Sequence, residues 1–342
     1  MTNMIQKKSE EMEVLITGGT GFIGNFLIRE LKNQGYKLTC LVRKNSNIDE
    51  LKKLDINFVY GDIQDKESLR KAVAGKDVIY HLVGIGSLSA NSKEEFEKFH
   101  ATNVSGTRNI LDVVVSINPN INKIIYLSST AAVGLQKGIV TEKTICNPIS
   151  PYQRSKYDSE RLILDYYEQY KLPITILRPC MVYGPGNQKS EILRMCKFIK
   201  KGIYPLFNDG NNSVPLVHVS DLVQGIILAS KNGRNGEIYF MTNDEISTMN
   251  KLIDTISKNM DKKVFKIKIP KKFAKSCAYI LENLALTLKF KPIITRERID
   301  SMTENRVFSV DKAKKELGYK PNINVDDGLK ETVEWYQHHG YL

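Results

Sequence analysis

Ile16-Thr17-Gly18-Gly19-Thr20-Gly21-Phe22-Ile23-Gly24 decides how this chain is read. The apolar run Val14-Leu15-Ile16 before it reads as a buried strand, and an apolar-periodic helix over Phe22–Asn33 follows it. A strand, a glycine turn and a helix N-terminus together make an anion site, because backbone N–H groups and the helix dipole point at a phosphate. Glycine lets a pyrophosphate approach the backbone and lets strand and helix pack closely. Gly18, Thr20, Gly21, Phe22, Ile23 and Gly24 are therefore the first candidate binding residues, with a dinucleotide as the expected ligand.

Working outward, the first half alternates strands and helices. Strands are expected over Val14–Thr17, Lys37–Val42, Asn57–Tyr60, Val78–Leu82, Lys123–Leu127 and Ile174–Leu177. Helices are expected over Phe22–Asn33, Lys66–Val73, Glu94–Val115 and Arg154–Tyr170. This alternation predicts an α/β fold, a doubly wound parallel sheet of Rossmann type with ligands outside the carboxyl ends of its strands. After Pro179 helices dominate, and the β pieces Leu216–Val219 and Glu237–Met241 look isolated. The expected organisation is a polar, disordered extension over 1–11, a dinucleotide-binding domain over 12–180, and a smaller, mainly helical substrate lobe over 181–342 interleaved with the end of the sheet.

The net charge of +12 is spread along the whole chain, which suits a solvated basic surface, and no nucleic-acid recognition motif accompanies it. The five cysteines are scattered without a CxxC pair, and the five histidines lack ligand spacing, so no disulfide framework and no metal site is expected. No signal core and no run of roughly 18 apolar residues is present, and a cytoplasmic protein is expected. One stretch stands out. Lys262–Lys275 is rich in lysine and free of acids, and the apolar helical pattern 273–288 overlaps its end. It reads either as a lobe helix with a basic flank or as a peripheral membrane contact through residues such as Phe273 and Leu281.

Three further patterns carry chemistry. The second strand ends in Arg43-Lys44, where an acid would hold a ribose 2′-hydroxyl; two cations suit a 2′-phosphate, so NADP is expected over NAD. Tyr152 and Lys156 stand four apart at the start of a helix and share one face. A phenol is a poor base at its usual pKa of about 10; a neighbouring ammonium and a nicotinamide cation both favour the phenolate, lower that pKa and make a usable acid/base. Ser128-Ser129-Thr130 ends the fifth strand, where a hydroxyl can hold the oxygen of a reacting carbonyl or alcohol.

With Gly61-Asp62-Ile63, His81-Leu82-Val83-Gly84, Thr102-Asn103-Val104-Ser105-Gly106-Thr107, Arg178-Pro179 and Tyr183-Gly184-Pro185-Gly186, these motifs make the chain resemble the extended short-chain dehydrogenase/reductase (NAD-dependent epimerase/dehydratase) family from Val14 to about Trp335. The resemblance implies that Thr130 is the catalytic hydroxyl, Tyr152 the acid/base and Lys156 its ribose-binding partner. It implies that Asp62 and Ile63 meet the adenine, that Leu82, Val83 and Gly84 line the cofactor, that Asn103 lies near the site, and that Pro179, Met181 and Val182 border the nicotinamide. His81 reads as a packed strand residue. The family often pairs through two long helices, here Glu94–Val115 and Arg154–Tyr170, so a homodimer is expected.

Departures from the family narrow the choice. Ala131-Ala132 replace the acids that dehydratases use, Met181 stands where nucleotide-sugar enzymes carry asparagine, and Val214-Pro215 stand where they carry an Arg-Asp pair. The C-terminal half resembles the 3-beta-hydroxysteroid dehydrogenase and dihydroflavonol-reductase branch. The expected activity is reversible hydride transfer between a nicotinamide and a secondary alcohol or ketone of a small-molecule substrate. The alternatives are a nucleotide-sugar 4-epimerase and a non-catalytic NADP(H)-binding sensor.

Overall fold

The computed structural model describes residues 9–86, 93–288, 290, 292 and 294–342. In chain order the first elements are β1 (Glu13–Thr17), α1 (Phe22–Asn33), β2 (Lys37–Val42), α2 (Asp49–Lys52), β3 (Asn57–Tyr60), α3 (Lys66–Val73) and β4 (Val78–His81). Then come α4 (Lys93–Phe99), a π-helical stretch (His100–Ser105), α5 (Gly106–Ile117), β5 (Lys123–Leu127), β6 (Gly138–Val140), α6 (Pro151–Tyr170), β7 (Ile174–Pro179) and β8 (Met181–Tyr183). The remainder is α7 (Glu191–Lys200), β9 (Ile203–Phe207), β10 (Ser213–Val214), β11 (Leu216–His218), α8 (Val219–Asn232), β12 (Ile238–Met241), β13 (Ser247–Thr248) and α9 (Met249–Asn259). It ends with β14 (Phe265–Ile269), α10 (Lys271–Leu288), α11 (Arg296–Thr303), β15 (Arg306–Phe308), α12 (Asp311–Leu317) and α13 (Val325–His338).

Seven strands form one parallel sheet in the order β3-β2-β1-β4-β5-β7-β12. Successive side chains of β1 go to opposite faces, and both faces are covered. Val14 and Ile16 pack with Leu27, Ile28 and Leu31 of α1, while Leu15 packs with Leu69 of α3 and Ile110 and Val114 of α5. The Rossmann-type sheet expected from the alternating pattern is therefore the observed fold.

Three local expectations need correction. Ile238–Met241 is not isolated: it pairs with β7 and supplies the seventh strand, and α8 and α12 cover the same sheet face as α1. The sheet layer thus recruits segments from beyond residue 180, which local periodicity does not reveal. The helix expected over Glu94–Val115 is broken by the π-helical stretch His100–Ser105. Helix α6 begins at Pro151 rather than Arg154, because Ser150 and Gln153 form a reciprocal capping box and Pro151 occupies the first turn.

Beyond the sheet, α7, α9, α13 and β9 enclose a separate core around Ile192, Leu206, Leu252, Ile253 and Val333. Ser9–Glu11 form one 3-10 turn; the rest of the expected 1–11 extension lies outside the described residues, as does the loop segment 87–90. Among the described residues no helix is long and apolar enough to cross a membrane.

Candidate active site

The glycine loop is built by close approach. Gly18 has φ +79°, and a Cβ there would lie 3.0 Å from the Val83 nitrogen and from the Leu82 carbonyl carbon. At Gly24 a Cβ would lie 2.3 Å from the Gly18 oxygen, so only glycine lets α1 start against the turn. Gly21 caps α1 without a side-chain hydrogen bond, leaving the first helical N–H groups for a ligand. Phe22 and Ile23 turn toward the core, and Thr20 is exposed. Arg43 and Lys44 stand exposed just past β2, and neither pairs with a carboxylate among the described residues.

A cavity of about 430 Å³ opens beyond the strand ends, lined by Ile23, Leu82, Gly84, Tyr152, Lys156, Pro179 and Val182 among others. Lys189, Arg194 and Arg298 also line it against the single acid Glu191, an excess of positive charge that suits an anionic ligand. The tight glycine turn, the open helix N-terminus and this charge fit a dinucleotide.

Tyr152 sits in the first turn of α6 with Lys156 one turn on. Its ring meets Phe99 edge-on at 6.0 Å, and Gly86 lies so close that a Cβ there would be 2.2 Å from Tyr152 Cε2. Burial raises the Tyr152 pKa, and the hydroxyl of Ser129 beside it pulls the other way. The sequence led to the expectation of a phenol acidified by Lys156 together with a nicotinamide cation; the Lys156 part is not what the side-chain geometry gives. In the structure Lys156 Nζ donates to the Leu127 carbonyl at 3.0 Å, and Lys156 is not among the groups that shift Tyr152. Burial lowers the Lys156 pKa to about 8, against the pull of Glu160. A Cβ at Gly84 would be 2.8 Å from Lys156 Nζ, so the loop after β4 closes over the ammonium.

The hydroxyl run divides its work. Ser128 donates to Glu160 Oε1 at 2.5 Å and is committed to a buried ion pair. Arg178 completes that pair, its Nε and Nη2 donating to Glu160 at 2.9 and 2.6 Å, with the two side chains 3% and 2% exposed. Ser129 and Thr130 face the open space beside Tyr152. Sequence reasoning missed Ser129 as the tyrosine's neighbour, and it missed Glu160. The i, i+4 spacing of Lys156 and Glu160 was the available signal.

Other candidates fall elsewhere. The Asn103 side chain is engaged inside the chain: its Nδ2 donates to the Ile85 carbonyl and Ser155 Oγ at 2.8 and 2.9 Å, and its Oδ1 accepts from the Ile85 N–H at 2.9 Å. It therefore ties the loop after β4 to α6, with both amide hydrogens engaged and one acceptor position of Oδ1 taken. The π-helical stretch sets it up, since the Asn103 carbonyl accepts from the hydroxyls of Thr107 and Ser159 at 2.6 and 2.8 Å. The Ile63 side chain is buried in the core beneath Gly106, so only its backbone is available to an adenine. Asp62 accepts from the Gln64 N–H at 2.9 Å. His81 is packed, bridging Thr17 and Thr107 at 2.7 and 3.0 Å, and burial lowers its pKa to about 3.

A second cavity of about 350 Å³ meets the first at Ser129, Tyr152, Cys180, Glu191 and Arg298. Met181 lines this one and not the first, so its side chain stands apart from Pro179 and Val182, which line the first. Met195, Met249, Met302, Tyr204, Val214 and Pro215 make the wall largely apolar. Among the described residues no cluster of His, Cys, Asp or Glu is arranged to hold a metal ion.

Comparison with known proteins agrees with this architecture. The family model described as NAD dependent epimerase/dehydratase family matches residues 14–241. The human short-chain dehydrogenase/reductase family 42E member 1 is 28% identical, covering 99% of this chain and 90% of its own. The 2-alkyl-3-oxoalkanoate reductase of Stenotrophomonas maltophilia is 25% identical, covering 93% and 98%. The crystal structure of gox2253 superposes with a TM-score of 0.82 at 29% identity, covering 96% of this chain and 99% of that one. Sheet order, glycine turn and family match converge: the chain belongs to the NAD dependent epimerase/dehydratase family and is an enzyme of the extended short-chain dehydrogenase/reductase type.

Proposed function

We propose that the protein is an oxidoreductase that interconverts a ketone and a secondary alcohol. The supporting observation is that Tyr152, Ser129 and the two cavities meet at one place, with Thr130 on the wall of the second. A bound nicotinamide dinucleotide supplies the hydride, or accepts it in the reverse direction. Gly18, Gly21 and Gly24 would hold its diphosphate, and Leu82, Val83, Gly84, Pro179 and Val182 would border the rest. Tyr152, with its pKa raised by burial, keeps its proton at neutral pH and donates it to the substrate oxygen. The hydroxyls of Ser129 and Thr130 hold that oxygen, and Lys156, on the wall of the first cavity, would meet the ribose of the dinucleotide. The substrate carbon gains a hydride and its oxygen a proton, which completes the reduction.

The apolar second cavity favours a substrate with a hydrophobic body. The relative named 2-alkyl-3-oxoalkanoate reductase supports reduction of an oxo compound. Tyr152→Phe should abolish ketone reduction while dinucleotide affinity, read by fluorescence titration, stays within a few-fold. Substantial residual turnover overturns the assignment, and so does interconversion of UDP-sugars by retained cofactor without net reduction.

NADP is the preferred form in this proposal, through Arg43 and Lys44. Arg43→Ala should weaken NADP about tenfold or more and leave NAD nearly unchanged; equal loss of both refutes the preference. A cytoplasmic homodimer belongs to the same proposal. Five free thiols suit a reducing compartment, and α5 and α6 lie side by side on one sheet face as the pairing surface. Light scattering at the monomer mass counts against the dimer.

We further propose that α10 rests on an anionic membrane. Phe273, Ile280, Leu281, Leu284 and Leu288 form one exposed stripe, while Ala274, Ala278 and Ala285 face inward. Lys262, Lys263, Lys268 and Lys272 flank the stripe without carboxylate partners among the described residues, which supplies the charge complement. Co-sedimentation with phosphatidylserine vesicles should be lost in Phe273→Asp/Leu281→Asp; equal binding by that variant overturns the contact.

A further inference from the structure

Arg306 is a cation that neither the fold nor the hydride-transfer reading uses. It opens β15 and lines the second cavity together with Thr130, Ala131, Gly134 and Tyr152. Its backbone is tied down, with its N–H donating to Ser213 Oγ at 3.0 Å and its carbonyl accepting from the same hydroxyl at 2.6 Å. Its guanidinium has one hydrogen bond among the described residues, to Ser301 Oγ at 3.2 Å, and lies 5.9 Å from the Phe308 ring.

No carboxylate pairs with this guanidinium among the described residues. Glu304, the nearest acid in sequence, is taken by Lys271 at 2.8 Å. The other arginine of the cavity differs. Arg298 faces both oxygens of Glu191 at 3.3 Å, and Glu191 also meets Arg194 at 3.2 Å. Arg298 is therefore already matched, and Arg306 is not. Burial lowers the Arg306 pKa, and the charge of Glu304, though not in contact, pulls part of the way back. A half-buried guanidinium with no carboxylate in contact is costly, and an anion arriving at its free N–H groups reduces that cost.

We propose that Arg306 receives the carboxylate of the substrate, so that the enzyme acts on oxo or hydroxy carboxylic acids with an apolar remainder. The planar fork of arginine suits a carboxylate, which it can bind through two parallel N–H···O bonds. The methionines at 181, 195, 249 and 302, with Tyr204, receive the hydrocarbon part. The shared wall brings the anchored acid to the tyrosine and threonine that handle the oxygen. This inference rests on the reductase reading for the chemistry, and on the cavity alone for the binding.

The test uses binding rather than turnover, so the two can fail separately. Octanoate and methyl octanoate are titrated by calorimetry into the full-length protein loaded with its nicotinamide dinucleotide. Octanoate should bind roughly 10- to 100-fold more tightly than the ester, the factor expected of a charge-assisted pair. Arg306→Gln should bring the ratio near one, and Arg306→Lys should restore part of it. A wild-type ratio near one overturns the proposal without recourse to any variant, and so does a folded Arg306→Gln protein that keeps the full ratio. A protein that prefers the acid yet reduces no ketone overturns the catalytic reading and leaves the carboxylate subsite standing.

Discussion

Beneath the candidate site, Glu160 and Arg178 form a pair whose removal has a calculable cost. Both side chains are almost fully buried, and Glu160 accepts from Arg178 Nε, Arg178 Nη2 and Ser128 Oγ. Glu160→Ala leaves a guanidinium in the interior without a counter-charge and with one further partner, Cys146 Sγ at 3.4 Å. Breaking such a pair from one side costs about 3–5 kcal/mol. That is a large part of the roughly 5–15 kcal/mol that holds a folded protein together. With a urea slope of about 3 kcal/mol per molar, the unfolding midpoint drops by about 1–1.7 M. Glu160→Leu combined with Arg178→Met removes both charges and fills the space, so it should recover most of the loss. Urea titrations followed by circular dichroism read both variants. A single variant within about 1 kcal/mol of wild type, or a double variant as unstable as the single, refutes the assignment of the pair as the charge-balancing element under the site.

Gly24→Ala should abolish dinucleotide binding and destabilise by about 1–3 kcal/mol, because its Cβ meets the fixed backbone of Gly18 and Gly19; calorimetry and a thermal melt check it, and tight binding by this variant is the contrary result. Gly86→Ala drives a methyl into the Tyr152 ring and should lower kcat by about 100-fold with little change in dinucleotide affinity; an unchanged kcat contradicts the packing. Ketone reduction should stay level through neutral pH and fall above about 8, where Lys156 loses its charge, and a rate still rising there rejects the role of that ammonium. The sign for stability is the reverse. Lys156 titrates at about 8 when folded and at about 10.4 when unfolded, so its burial penalty is full below the lower value and is relieved between the two.

Much of the fold was legible in the chain because its signals are local. Apolar runs such as Val14-Leu15-Ile16, helical periodicity and the glycine turn depend on residues within a few positions of one another. They were enough to identify the parallel sheet, its glycine loop and the pairing of Tyr152 with Lys156 on one helix face. What they could not show depends on pairs distant in sequence. Ile238–Met241 becomes a sheet strand only because β7 offers it an edge. The Asn103 amide is spent on Ile85 and Ser155, contacts made across the top of the sheet. Whether Lys156 acidifies Tyr152 is decided by where its ammonium points, and the Leu127 carbonyl holds it. Arg306 looks in sequence like any surface cation. Folding sets it in the wall of a largely apolar cavity while its acidic neighbour Glu304 contacts Lys271, and only that placement leaves the guanidinium without a carboxylate in contact among the described residues.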